Sequence, residues 1–466
     1  MHKVILYNPR SVFYTMPLAL LALGSYLDPE RYQVIILDGR IDNEGSVLEA
    51  CEGAICFGVT ALTGAPIHDA LHITRAVKQR FPQLLTVWGG WHPSLFPVET
   101  IEEESIDLVV NGQGEIPFSA LLEAIASGKG YEDIKGIHFK KESVVLKSLP
   151  QPMTDINQFP KLNYDLIPLE RYFKLKGRRQ LDYISSQGCR FRCTFCADPF
   201  MYNRGWYGLS PLRMGEELQE LWNKYHFDDV NFQDETFFTS SGRVEGIANE
   251  ILQRHLKFTW FGTMRADQGA RMEDELFALC KRSGLRKVMI GVEAGSQEML
   301  DWMKKDIKIG QVYESAAKCL RHGIAVIFNI ILGFPNETEE SIRESLRVAM
   351  ELRKMSPDFE LGIFYFKPYP GNAIADRLLQ EGYRFPKGLD QWAAFDYIGS
   401  SNDWISKEQY DRIEAFKFYQ RIGWNRSHPI LSPVKKVAQW RCSKSNYAFQ
   451  LEKKIYEWIR PPERLS

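Results

Sequence analysis

No charge of one sign dominates this chain, no cysteine framework runs through it, and no hydrophobic run is long enough to cross a bilayer. The 58 Lys and Arg balance 59 Asp and Glu for a formal charge of −1, which argues against both a global basic field for nucleic acid and the acidic excess of a disordered chain. Partners must therefore be read from local features. The eight cysteines stand at 51, 56, 189, 193, 196, 280, 319 and 442, a scatter that excludes a secreted disulfide scaffold. The longest apolar stretch, residues 18–27, is closed off by Pro17 and Asp28 and falls short of the ~20 residues a crossing helix needs. Residues 1–7 enter a strand-like run with no charged segment leading into an apolar one, so a cytoplasmic chain without a signal peptide is expected.

What is present is a doubled alternation. At 466 residues two or three domains are expected. Across residues 1–130, β-rich runs at 3–7, 34–37, 54–59, 84–88 and 107–110 alternate with helical patterns. This predicts a flavodoxin-like, doubly wound parallel sheet with its ligand beyond the carboxyl ends of the strands. Residues 131–180 read as a polar linker containing proline and a hairpin over 136–149. A second alternation follows over 181–384, with strands at 182–185, 229–233, 259–263, 287–292, 326–332 and 361–366. Six βα units are fewer than a closed barrel uses, so a partial (βα)6 barrel is expected. Residues 385–466 form a helical, aromatic C-terminal region, with helices at 406–424 and 434–458.

Only three cysteines are clustered. Cys189, Cys193 and Cys196 form a C-x3-C-x2-C run on the loop after the first strand of the second alternation, at the rim where such sheets carry active sites. Structural zinc takes four protein ligands, and no fourth Cys or His lies nearby. Three thiolates fit an iron-sulfur cluster that keeps one iron open. With the aromatic Phe195 before its last cysteine, the triplet resembles the radical S-adenosylmethionine (SAM) superfamily. The resemblance implies a 4Fe-4S cluster on the three cysteines and SAM chelating the open iron through its methionyl amine and carboxylate. It also implies an external one-electron donor that drives cleavage to a 5′-deoxyadenosyl radical. Further matches stand at successive strand ends: Asp234-Glu235, Arg265 within residues 264–267, Glu293 within 291–295, Gly333 within 333–335, and Pro368-Tyr369-Pro370-Gly371. Phe195, Asp234, Glu235, Arg265, Glu293 and Gly333 are the SAM-binding candidates so implied.

The strand ends of the N-terminal sheet resemble those of cobalamin-binding domains fused upstream of radical enzymes. The residues concerned are Thr60 and Thr63 of the loop 60–64, Gly89, Gly90 and His92 of 89–93, and Asn111, Gly112, Gly114 and Glu115 of 111–115. Glycines there permit close backbone approach, and the loop 60–64 is the expected floor beneath the corrin. One departure matters: Arg40 stands where the D-x-H-x-x-G motif of other cobalamin domains has its histidine. No histidine from this motif is therefore expected on cobalt. His68 and His72 lie one helical turn apart without a third ligand and read as surface or helix-packing residues. Cys51, Cys56, Cys280, Cys319 and Cys442 read as buried small hydrophobes, with no auxiliary cluster expected.

Taken together, the resemblance implies a cobalamin-dependent radical SAM enzyme that methylates an unactivated carbon of a small molecule. The alternative is the oxidative reaction of the anaerobic magnesium-protoporphyrin monomethyl ester cyclases, which share the two-domain plan with the bacteriochlorophyllide methyltransferases, so a tetrapyrrole is a candidate substrate. Trp392, Phe395, Tyr397, Trp404, Phe416, Phe418, Tyr419 and Trp424 could form an apolar wall for such a molecule, although residues of this kind more often belong to the core. A cobalamin or cluster sensor would not need the barrel motifs. A transfer-RNA methylthiotransferase would carry more N-terminal cysteines and a basic RNA module, and no nucleic-acid partner is expected. The basic aromatic stretch 434–458, with Lys435, Lys436, Arg441, Lys444, Lys453 and Lys454, could lie on a membrane surface, but Glu452 and Glu457 oppose this and packing over the barrel is expected.

Overall fold

The computed structural model describes residues 1–141, 144–424 and 432–453. Five parallel strands open the chain: β1 (His2–Asn8), β2 (Tyr32–Asp38), β3 (Ala54–Thr60), β4 (Leu85–Gly89) and β5 (Leu108–Val110). Their order, β2-β1-β3-β4-β5, is that of a flavodoxin-like sheet, so all five carboxyl ends share one rim. Residues 4–7 of β1 are at most 1% exposed, because a parallel strand with helices on both faces has no solvent side. Ile67, Leu71 and Val77 of the helix Pro66–Arg80 cluster with Ile5, Phe57 and Trp88.

The hairpin expected inside the linker instead extends this sheet. β6 (Ile137–Lys141) pairs antiparallel with β5, and β7 (Val144–Lys147) pairs with β6, giving seven strands. The physical reason is the exposed edge of the three-residue β5, whose backbone groups need a partner.

The chain divides into two compact units, Met1–Gly262 with Pro368–Ile398, and Thr263–Lys367 with Gly399–Ser466. In the first, β8 (Gln180–Tyr183), β11 (Asp229–Phe232) and β12 (Thr259–Arg265) run parallel, and β9 (Ser186–Gly188) forms a separate antiparallel ribbon with β10 (Trp206–Gly208). In the second, β13 (Leu285–Glu293), β14 (Ala325–Leu332) and β15 (Phe359–Tyr365) run parallel. Six strand-helix repeats thus follow the N-terminal sheet, the expected α/β class with a partial radical-SAM-type barrel and a helical C-terminal region.

In the C-terminal region several aromatics are buried, and one helix is shorter than expected. Trp392, on the short helix Gly388–Ala393, is fully buried against Phe96 at 4.5 Å between ring centroids, and Phe416 and Tyr419 are buried in the second unit. These three aromatics are core, the commoner of the two roles open to them from the sequence. The helix expected over 434–458 runs only from Ser432 to Lys444, because the buried Arg441 guanidinium gathers the carbonyls of Asn446, Ala448 and Phe449 and turns the chain back. Lys454, Tyr456, Glu457 and Trp458 lie outside the described residues. Within the second unit the helix Lys407–Gly423 is tied down by an Arg412–Glu339 ion pair and by Tyr410 stacked on Tyr365 at 5.2 Å. Among the described residues no helix is long and apolar enough to cross a membrane.

Candidate functional site

The cysteine loop is framed by the β9–β10 ribbon, in which Gly188 pairs with Trp206. Gly188, immediately before Cys189, has φ +90°, and a Cβ there would sit 2.3 Å from the Gly205 carbonyl oxygen, so only glycine closes this ribbon. Cys189, Cys193 and Cys196 follow, with the Cys196 N–H donating to the Cys193 carbonyl at 3.3 Å. The five cysteines outside the loop are buried. Burial pushes the Cys196 thiol up. Among the described residues no three His, Cys, Asp or Glu side chains already stand gathered about one point. The loop nevertheless supplies three thiol donors, the chemistry a 4Fe-4S cluster takes, and metal binding is what draws such ligands together.

Asp234 and Glu235 at the end of β11 have different environments. Asp234 is buried and accepts from Ser185 N at 2.7 Å and from the Ser185 and Ser186 hydroxyls at 2.6 Å each. It thereby staples β11 to the turn leading into the cysteine loop. Glu235 accepts from Gly188 N at 3.2 Å and from the Tyr202 hydroxyl at 2.9 Å. Burial pushes its carboxyl up to about 8.

A cavity of about 500 Å³ opens at the carboxyl rim of the N-terminal sheet. Its wall includes Thr60, Gly89, Gly90, Gly112, Gly114 and Glu115, joined by Arg40, Tyr202 and Glu235. Gly112, at φ +77°, has no atom within 4 Å of where a Cβ would stand, so its backbone faces open space as a cradle for a bulky ligand would. Burial raises the Glu115 carboxyl. Arg40 occupies the wall with its guanidinium already spent, bonded to Asp38 Oδ1 at 2.9 Å, to the Thr15 carbonyl at 2.7 Å and to the Phe13 carbonyl.

Three residues expected on this rim are not in the cavity wall: Thr63, His92 and Asn111. His92 is fully buried, with Nδ1 3.3 Å from the Thr63 hydroxyl and its ring against Phe96 and Trp392. Desolvation lowers it to about 3, so the ring stays neutral. His72 sits on the surface beside Glu44.

In the second unit Arg265 is paired with Asp267 at 2.9 Å, and Glu293, at φ +65°, is paired with the buried Lys305 at 2.5 Å. The Gly333 N–H donates to Glu337 at 2.7 Å, while its carbonyl accepts from Asn402 at 2.9 Å. Tyr202, Lys305, Glu337 and Asn402 escaped the sequence reading. Each acts through a fold-made contact, and only Glu337, four residues from Gly333, is near in sequence.

Comparison with known proteins agrees with this architecture. Residues 7–122 match the B12 binding domain and residues 183–349 the Radical SAM superfamily. The two matched domains and the site define the class, an enzyme that combines a cobalamin-binding domain with radical SAM chemistry. The cofactors of this class are a 4Fe-4S cluster, SAM and cobalamin. It is 29% identical to an uncharacterized methyltransferase of Pyrococcus horikoshii over 78% of this chain and 79% of the relative. It is 23% identical to the anaerobic magnesium-protoporphyrin IX monomethyl ester cyclase of a Synechocystis strain, over 91% and 83% of the two chains. Among solved structures, the radical SAM methyltransferase TsrM of Kitasatospora setae, with cobalamin and a 4Fe-4S cluster bound, superposes with TM-score 0.71 at 16% identity, over 96% of this chain and 100% of that one.

Proposed function

We propose that this chain transfers a methyl group to an unactivated carbon of a small molecule. One observation carries the reading: a single cavity is walled by the glycine rim of the N-terminal sheet and by Glu235, which is hydrogen-bonded to the residue preceding Cys189. Two cofactors bound at these two rims face one common space.

In this reading Cys189, Cys193 and Cys196 hold the 4Fe-4S cluster, and Phe195, Asp234, Glu235, Arg265, Glu293 and Gly333 serve SAM. Thr60, Gly89, Gly90, Gly112, Gly114 and Glu115 receive cobalamin, with Thr63, His92 and Asn111 supporting that rim from behind. When bound, cluster and SAM supply a carbon-centred radical, and cobalamin supplies the methyl group. The protein's part is binding, orientation and exclusion of water. Glu235 and Tyr202 present a hydrogen-bonding edge, Asp234 holds the serine turn that sets the cysteine loop, and Leu18, Leu20, Leu23 and Phe118 give the cavity an apolar side that keeps a radical from solvent. Because Arg40 is fully committed to Asp38 and to backbone carbonyls, the motif position supplies no ligand to cobalt.

A tetrapyrrole substrate and cyclase-type oxidation form the second reading, favoured by the cyclase relative that covers 91% of this chain. Anaerobic incubation of the reconstituted enzyme with a one-electron donor, methyl-labelled SAM and candidate tetrapyrroles tests both. Label in the product supports methyl transfer, whereas an oxidised product without label replaces it with the cyclase reading. An external electron donor and a cytoplasmic location belong to the same proposal.

A further inference from the structure

We propose that Asn372 is a positioning residue for the cysteine loop, acting from the segment that follows the last barrel strand. The inference rests on the reading that the three cysteines hold a cluster. Asn372 is 4% exposed, and its amide makes three contacts at once. Oδ1 accepts from Ala375 N at 2.9 Å, capping the helix Ala373–Gln380, while Nδ2 donates to the Tyr369 carbonyl at 2.6 Å and to the Phe195 carbonyl at 3.1 Å. Two residues on, the Ile374 N–H donates to the Thr194 carbonyl at 3.2 Å. Both residues between Cys193 and Cys196 are thus held by their carbonyls from this one segment. The segment also packs beyond the cysteines, since at Gly371, with φ +80°, a Cβ would stand 2.6 Å from Phe200.

A helix cap needs only an acceptor, which Ser or Asp supplies as well as Asn. The donating half of the amide is therefore surplus to capping, and it is the half that reaches the loop. In a trans peptide the carbonyl and the following N–H point in opposite directions. Holding the Phe195 carbonyl outward therefore turns the Cys196 N–H inward, where it closes onto the Cys193 carbonyl at 3.3 Å. Asn372 in this way sets the turn that spaces two of the three thiols. Backbone hydrogen bonding around a cluster also tunes its potential and its access to solvent.

The test compares the reconstituted full chain with Asn372→Ser, Asn372→Asp and Asn372→Ala. Iron and sulfide content, loss of cluster absorbance under a ferrous chelator, the electron-paramagnetic spectrum of the reduced cluster with and without SAM, and thermal melting are read for each. Ser and Asp keep the cap and remove the donor. Ser is expected to keep the cap's share of stability and to melt above Ala, yet to lose the cluster faster than the wild type by about fivefold or more, as loss of the two hydrogen bonds to Tyr369 and Phe195 implies, with an altered spectrum in the presence of SAM. Asp is expected to exceed Ser because its carboxylate would face two carbonyls. Ala is expected to lower the melting temperature as well. If Ser and Asp match the wild type in lability and spectrum and only Ala differs, Asn372 is a cap alone and the proposal is overturned. If the wild type itself assembles no four-iron cluster, the reading of the triplet fails and the proposal falls with it.

Discussion

The rim of the N-terminal sheet and the strand ends of the second alternation are built from opposite materials. The first offers Gly89, Gly90, Gly112 and Gly114, its charges being Glu115 and the internally paired Asp38 and Arg40, while the second offers Asp234, Glu235, Arg265, Asp267 and Glu293. A rim of bare backbone suits a ligand recognised by a large surface. Charged side chains at strand ends suit ligands recognised by charge. The costs differ accordingly. Glycines cost backbone entropy when ordered, whereas buried charges are tolerable only with partners. The second rim has those partners: Asp234 has its serines, Arg265 has Asp267, and Glu293 has Lys305.

If this contrast is right, damage to one rim should spare the other. The largest effect is expected from Cys193→Ala, which should reduce cluster iron to background and abolish 5′-deoxyadenosine formation. Cobalamin uptake should persist, as spectral titration would show. Lys305→Met comes next, because it leaves Glu293 buried without its cation. A loss of about 3–5 kcal/mol is expected in denaturant unfolding, and a Lys305→Met, Glu293→Gln double variant should recover most of it. Gly112→Val forces a β-branched residue to φ +77°, at a position where a Cβ meets no atom within 4 Å. It should cost roughly 1–2 kcal/mol of stability and weaken cobalamin binding by about tenfold or more, with iron content unchanged.

The smallest effect at neutral pH is expected at His92, whose ordinary value of 6.5 is lowered to about 3 by burial. Between those values the unfolded chain binds a proton that the folded chain does not. Stability contributed by neutral His92 is therefore complete above 6.5 and is lost as pH falls toward about 3. His92→Phe should flatten that acid limb of the unfolding midpoint against pH while leaving the midpoint above pH 7 little changed. An unchanged acid limb would remove His92 from the account.

Much of this was legible in the residues themselves. The strand runs of both alternations, the C-x3-C-x2-C spacing and the glycine pairs are local patterns, and local patterns survive without a fold. What escaped the sequence were long-range pairings. Asp234 and Glu235 are neighbours of similar chemistry, yet one is consumed by Ser185 and Ser186 and the other turns to the cavity wall. His92 sits in a glycine-rich loop that looks exposed, but the helix carrying Trp392, some three hundred positions later, covers it. The hairpin at 137–147 reads as linker until β5 is seen to need an edge partner.

The sequence by itself determined the donor chemistry: three thiols on one loop, glycines at one set of strand ends and charged side chains at the other. Those features depend on spacing along the chain. Only the tertiary structure decided which of these groups share a wall, which are spent on holding backbone, and which distant amide steadies the cysteine loop. Burial and hydrogen-bond partners belong to positions in space, and residues hundreds of positions apart acquire them together only when the chain has folded.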